Sequence, residues 1–233
     1  MRMSKLSIVI PIYNEEKTLK ELLKRVVEAR LPNNIEKEII LVDDASNDET
    51  SNIIKNLSSD YIKMRHEKNR GKGAAIISGL KKATGDLVLI QDADLEYNPD
   101  DYLNLLEPLL ENRAEVVYGS RFLVRGTIVS ISGLSYLSNK FLTWLSNIMT
   151  GMNLTDMETG YKVFKKEVAS DIYPKLKSQR FGIEPEITSL VKKYKVVEVL
   201  ISFKGRTIKE GKKIRWYDGL RAIIYIVYFN VKN

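Results

Sequence analysis

The feature that most constrains this 233-residue chain is the alternation of short β-rich runs with stretches of helical period through its first half. Leu6–Ile12 is β-rich, and Glu15–Glu28 follows with Leu19, Leu22, Leu23, Val26 and Val27 at helical spacing. Glu38–Val42 comes next, then a helix expected to open near Ser46, with Glu49 three residues on at capping-box spacing. A third strand around Tyr61–Arg65 precedes a helix over Lys72–Ala83 that Gly85 is expected to stop, and Asp86–Ile90 is the fourth strand. Repeated β-α units bury both faces of a sheet only if the strands run parallel and the helices cover both sides. The second half is less regular. A helix near Asp101–Glu111, strands at Ala114–Tyr118 and Tyr161–Phe164, a helix around Pro185–Lys195 and a strand over Val196–Phe203 complete the expected sheet, while 120–150 mixes basic and apolar residues without a clear assignment. The fold class is therefore α/β, a mostly parallel central sheet flanked by helices. It divides into one domain over residues 1–203 and an appendage over 204–233.

Composition excludes several chemistries. There is no cysteine, so disulfides, thiolate zinc sites and cysteine nucleophiles are absent. The single histidine, His66, leaves little room for histidine metal clusters or a Ser-His-Asp triad, and is read as a satisfied structural or an exposed histidine. The net charge of +7 is concentrated: between Lys204 and Arg215, KGRTIKEGKKIR holds six basic residues and one acidic, a net +5. The rest is near neutral, which argues for one local anion site and against a nucleic-acid partner. Neither a signal peptide nor a membrane span is expected, since the longest apolar run, Ala222–Phe229, falls far short of the ~20 residues that cross a bilayer. The segment Trp216–Val231 is apolar on nearly every side, suited to a membrane interface, a second copy of the chain or packing on its own domain.

Four polar clusters fall at expected strand ends or helix starts, where parallel sheets place their sites: Pro11–Glu15, Asp43–Ser46, Asn69–Gly73 and Asp92–Glu96. Asp92, Asp94 and Glu96 alternate directly after a buried strand, which would set hard oxygen ligands for a divalent cation on one side of an extended segment. Asp43–Asp44 reads equally as a helix cap or turn. Gly71–Gly73 lacks the spacing of a P-loop.

The segments IVIPIYNEE, VDDASNDET, NRGKGAA, LIQDADLEYNP, VVYGSRF, DMETGYKVF and FGIEPEI together resemble the inverting GT-A glycosyltransferases of family 2, and among them the dolichyl-phosphate mannose synthases and related polyprenyl-phosphate hexosyltransferases. The match runs in order from about Lys5 to the C-terminus. The resemblance implies a Rossmann-like GT-A domain in which Pro11, Tyr13 and Glu15 line a nucleotide pocket, Asp43 or Asp44 binds base or ribose, and Lys72 lies near the nucleotide. It further implies that Asp92, Ala93 and Asp94 face the donor, with Asp92, Asp94 and Glu96 as the ligand set for Mg²⁺ or Mn²⁺ on the diphosphate. Arg121 matches a phosphate-contacting arginine, Asp156 is the nearest candidate for a catalytic carboxylate, and Arg206 and Lys212, with Arg125, supply cations for donor and acceptor phosphates.

The expected reaction moves a hexose, mannose or glucose, from GDP-mannose or UDP-glucose to a polyprenyl or dolichyl phosphate by inverting in-line displacement. A lipid phosphate is already an anionic nucleophile and needs cations to hold it. A saccharide hydroxyl, the alternative acceptor, would need Asp156 as base. Family members that are integral membrane proteins carry transmembrane helices after the catalytic domain. Here the expectation is a cytoplasmic protein bound peripherally to the cytoplasmic face of a membrane, through its own C-terminal segment, a membrane-anchoring subunit or a homodimer.

Overall fold

A computed structural model describes residues 5–32, 35–124, 133–205 and 216–232, and omits the side chains of 134 and 216–218. In chain order the elements are β1 (Lys5–Ile12), α1 (Leu19–Glu28), β2 (Glu36–Asp43), α2 (Thr50–Lys55), β3 (Ile62–Arg65), α3 (Lys72–Lys82), β4 (Leu87–Ile90), α4 (Tyr102–Leu110), β5 (Val116–Ser120), α5 (Gly133–Thr150), β6 (Lys162–Lys165), α6 (Lys166–Ile172), α7 (Ile183–Val191), β7 (Val196–Leu200) and α8 (Trp216–Lys232).

The strands form a single seven-stranded sheet in the order β3-β2-β1-β4-β6-β5-β7. All pairs are parallel except those of β6, which runs antiparallel between β4 (Ile90 beside Lys162) and β5 (Tyr118 beside Lys162). The C-terminal ends of β1, β2, β4 and β5 and the N-terminal end of β6 therefore share one edge of the sheet. Alternation along β1 explains the two-sided core. Leu6, Ile8, Ile10 and Ile12 pack with Leu19, Leu22 and Val26 of α1 and Leu105 and Leu109 of α4. Val9 faces the other way, with Ile76 and Leu80 of α3, Ile172 of α6 and Ile187 of α7. Each such side chain contributes about 1.5–3 kcal/mol by leaving water.

Boundaries depart from the sequence reading where loops take over residues. The helix after β2 starts at Thr50 and not near Ser46, and the capping box does not form. Ala45 adopts φ 60°, which a helix cannot continue, and Ser46 Oγ accepts the Asn14 N–H at 3.0 Å. Likewise α1 begins at Leu19, because the chain turns through a left-handed Asn14 first. Helix α3 ends at Lys82, with Ala83 already extended, before the expected stop at Gly85. Residues 120–150, unassigned from sequence, contain the 18-residue α5, and α6 follows β6 with no intervening loop.

Candidate active site

The shared sheet edge collects the polar clusters. Asp43 and Asp44 end β2, are almost wholly buried, and are fully engaged. Asp43 accepts the Ser46 N–H at 2.8 Å, the Ser51 hydroxyl at 2.6 Å and Arg65 Nη1 at 2.6 Å. Asp44 accepts the Arg70 and Gly71 N–H groups at 2.9 and 2.6 Å and pairs with His66 Nδ1 at 2.7 Å. His66 Nε2 meets Ser78 Oγ at 2.9 Å, so this histidine is structural. The pair thus builds the floor between β2 and the start of α3. Beside it, Pro11 is buried and Tyr13 and Glu15 are half-buried at the end of β1, with the Thr18 hydroxyl donating to the Glu15 carboxylate at 2.7 Å.

Gly71 caps α3 with φ 97°, and a Cβ there would meet Gln179 O at 2.5 Å; only glycine lets the chain turn this tightly against that backbone. The turn delivers Lys72 inward. Its Nζ lies 2.8 Å from Asp92 Oδ1 and 3.0 Å from Glu184 Oε1. Burial opposes the ammonium charge, but the two carboxylates outweigh it and hold Lys72 well above its ordinary pKa. Glu184 enters from the first turn of α7, where acids are favoured by the helix dipole. Its other oxygen meets Lys162 Nζ at 2.6 Å. Lys162, the first residue of β6, has no solvent exposure, donates also to Thr159 O, and lies over the Tyr118 ring. A Cβ on Gly160 would overlap Asp92 Oδ2, so that glycine is the space into which the carboxylate fits.

Arg121, just past β5, pairs with Asp156 through two parallel bonds, Nε to Oδ2 at 2.6 Å and Nη2 to Oδ1 at 2.7 Å. Asp156 is wholly buried and also accepts the Arg121 backbone N–H at 3.0 Å. Its loop is held from beneath by Glu198 of β7, which accepts the Thr155 and Asp156 N–H groups at 2.7 and 3.0 Å. The guanidinium lies 5.0 Å from the Phe203 ring centre. The Tyr97 and Tyr161 rings lie tilted at 38° to each other with centroids 4.7 Å apart, and the Tyr97 hydroxyl accepts the Gly160 N–H at 2.7 Å. Burial pushes the Tyr97 pKa far up, so the phenol stays neutral.

The metal expectation needs a geometric correction. Residues 93–96 form a bend and not the extended segment expected after β4. Asp94 Oδ1 accepts the Glu96 N–H at 3.1 Å, and among the described residues no three acidic or histidine side chains converge as a metal-holding group. Asp92 and Asp94 remain a hard-oxygen pair, the donor chemistry that Mg²⁺ or Mn²⁺ takes when substrate phosphate supplies the rest of the coordination. Ala93 is buried between them.

The Lys72–Asp92 and Arg121–Asp156 pairs thus form a partly buried layer of charge, in which only Asp156 is wholly buried. Arg125, Arg206 and Lys212 lie outside the described residues. The sequence reading assigned no role to Glu158, Lys162, Glu184, Glu198 or Tyr97. The usable signal was a charged residue inside an apolar strand, as in Tyr161–Phe164, and an acid in the first turn of a helix, as in FGIEPEI.

The comparisons with known proteins agree with this architecture. Residues 7–173 match the model of the family described as "Glycosyl transferase family 2". A dolichol-phosphate mannosyltransferase of Pyrococcus furiosus is 33% identical over 227 residues, covering 94% of this chain and 62% of that protein. A UDP-N-acetylglucosamine–dolichyl-phosphate N-acetylglucosaminyltransferase of Methanococcus voltae is 30% identical over 207 residues, covering 81% of this chain and 80% of that one. Among solved structures, glucosyl-3-phosphoglycerate synthase from Mycobacterium tuberculosis, in complex with Mn²⁺, UDP and glucosyl-3-phosphoglycerate, superposes with a TM-score of 0.71 at 16% identity, covering 99% of this chain and 79% of that one. At that identity the likeness concerns the fold, which is GT-A-like.

Proposed function

We propose that this chain, which belongs to glycosyl transferase family 2 and is a glycosyltransferase, transfers a hexose from a nucleotide sugar to a polyprenyl or dolichyl phosphate by inverting displacement at a membrane surface. The observation that carries the reading is the partly buried layer of Lys72, Asp92, Arg121 and Asp156 at the carboxyl edge of the sheet, in a chain whose relatives include enzymes named for dolichyl phosphate.

In this reading the nucleotide lies over Pro11, Tyr13 and Glu15, on the floor built by Asp43 and Asp44. A Mg²⁺ or Mn²⁺ ion held by Asp92 and Asp94 would supply neutralisation of the departing diphosphate charge. Lys72 adds fixed positive charge beside Asp92, and needs no reorganisation because Glu184 already orients it. Arg121, braced by Asp156, presents its guanidinium to phosphate. Arg125, Arg206 and Lys212 are the further cations for the acceptor. In-line attack by a phosphate oxygen forms the new glycosidic bond as the bond to the diphosphate breaks, and no proton has to be removed from the nucleophile. The bonding of Asp156 favours this acceptor over a saccharide hydroxyl: both its oxygens are occupied by donors, which suits a brace and not a base.

Membrane proximity is supported by two neighbouring helices. On α5, Leu137, Phe141, Trp144 and Ile148 are exposed along one stripe, and α8, packed beside it, exposes Leu220, Ile224, Val227 and Val231. No helix among the described residues is long and apolar enough to cross a membrane. The basic stretch from Lys204 to Arg215 leads directly into α8, the pairing of positive charge and apolar face that anionic bilayers attract.

The deciding assay offers labelled GDP-mannose, UDP-glucose and UDP-N-acetylglucosamine to the protein with and without polyprenyl phosphate and Mn²⁺. Labelled lipid that forms only with metal is the expected result. Transfer to a saccharide and never to lipid phosphate would overturn the acceptor.

A further inference from the structure

Each cation of the charged layer is already taken: Lys72 by Asp92 and Glu184, Lys162 by Glu184, and Arg121 by Asp156. Glu158 stands apart. Its Oε1 is closed to water and has no hydrogen-bond partner among the described residues, while the side chain as a whole is only half-buried, so the carboxyl sits at the boundary of the layer. It lies under the fields of Glu184, Lys162, Arg121 and Asp156, and stands two residues before the glycine that accommodates Asp92.

An unpaired buried acceptor costs roughly 1–3 kcal/mol, and the few that native structures retain call for an explanation. Burial first, then the charge of Glu184, raises the Glu158 pKa to about 7, so near neutrality the carboxyl is available both as acceptor and as donor. Its surroundings restrict what can satisfy it. Lys162 and Arg121 act on it as positive charges and Glu184 and Asp156 as negative ones, so neither a cation nor a phosphate meets a field of one sign there. A neutral hydroxyl, which donates and accepts, suits both states of the carboxyl.

We propose that Glu158 hydrogen-bonds a hydroxyl of the hexose carried by the nucleotide donor and thereby helps to select the sugar. This rests on the glycosyl-transfer reading above and adds to it a residue that touches the sugar and not the nucleotide.

The test is calorimetric titration of wild type, Glu158→Gln and Glu158→Ala with GDP, UDP, GDP-mannose, UDP-glucose and UDP-N-acetylglucosamine in the presence of Mn²⁺, with circular dichroism to confirm folding. The nucleoside diphosphate Kd should stay within about twofold in both variants, because Glu158 does not face the nucleotide. The Kd of the preferred nucleotide sugar should rise roughly 5- to 150-fold in Glu158→Ala, with a smaller rise in Glu158→Gln, which keeps a donor and an acceptor. Nucleotide sugar binding unchanged in both variants would overturn the proposal, as would equal weakening of sugar-free and sugar-bearing nucleotides. If wild type binds no nucleotide of the panel, the transferase reading fails as well, so the two failures are distinct.

Discussion

Replacing Asp156 with asparagine separates the two roles open to that residue. As a brace it neutralises a guanidinium whose side chain is 10% exposed, from a position with no exposure of its own. Asparagine keeps the volume but removes the charge, and turns one accepting oxygen into an NH₂ group that faces an Arg121 donor. Removing one partner of a buried pair leaves the other charge uncompensated, at a cost of about 3–5 kcal/mol. The backbone bond from Arg121 to Asp156 Oδ2 is weakened too, but its loss falls within the same range. For a chain of this size that corresponds to a fall in Tm of roughly 6–20 °C. Urea unfolding read by tryptophan fluorescence, beside a thermal melt, measures it directly. Paired replacement with Arg121→Met and Asp156→Leu should recover part of the loss, since no charge is then stranded. If Asp156→Asn unfolds within 1 kcal/mol of wild type while turnover collapses, Asp156 is a base and not a brace, and the argument for a phosphate acceptor loses its support.

Three further outcomes are expected. Asp94→Asn should abolish Mn²⁺-dependent binding of the nucleotide sugar while leaving the fold intact; full retention of metal-dependent binding would remove Asp94 from the ligand set. Because the Glu158 pKa is raised when folded, the folded state binds the extra proton. Its contribution to stability is therefore complete below pH ~4.5 and is lost as pH rises through about 7. Urea midpoints for wild type should accordingly fall relative to Glu158→Gln between those limits, and parallel pH profiles would contradict this. Trp144→Glu together with Ile224→Glu should reduce sedimentation with anionic liposomes several-fold without changing the melting temperature, and unchanged co-sedimentation would mean that the α5–α8 face serves another purpose.

The β-α alternation made the first half of the fold legible because each unit there is local: β1 to β4 and α1 to α3 need only their own periodicity and turns. The direction of β6 was not legible, since nothing within Tyr161–Lys165 encodes antiparallel pairing with strands far away in the chain. Helix α6 escaped notice because it follows β6 without punctuation. At the site, residue types and spacing pointed to Asp92 and the Asn69–Gly73 turn, and the family resemblance to Lys72, Arg121 and Asp156, but neither pointed to their pairing. That Asp156 turns both oxygens to Arg121, or that Glu184 bridges two lysines, depends on which loops meet at the sheet edge. The capping box at Ser46 misled because Asp43 and Asn14 use that serine to tie two loops together.

The placement of β6 also sets an order of assembly. Strands β3, β2, β1 and β4 adjoin one another and are complete once Ile90 has been made, so they can form a half-sheet with the Asp43–Asp44 floor in place. Strand β5 cannot join that half-sheet until β6 is available to lie between them. Lys72 and Asp92 then wait for Glu184, which at ordinary rates of synthesis emerges roughly 5–20 s after Asp92. Over that interval Lys72 and Asp92 stand at the rim of an unfinished sheet, and the proposed reacting centre is among the last parts of the molecule to close.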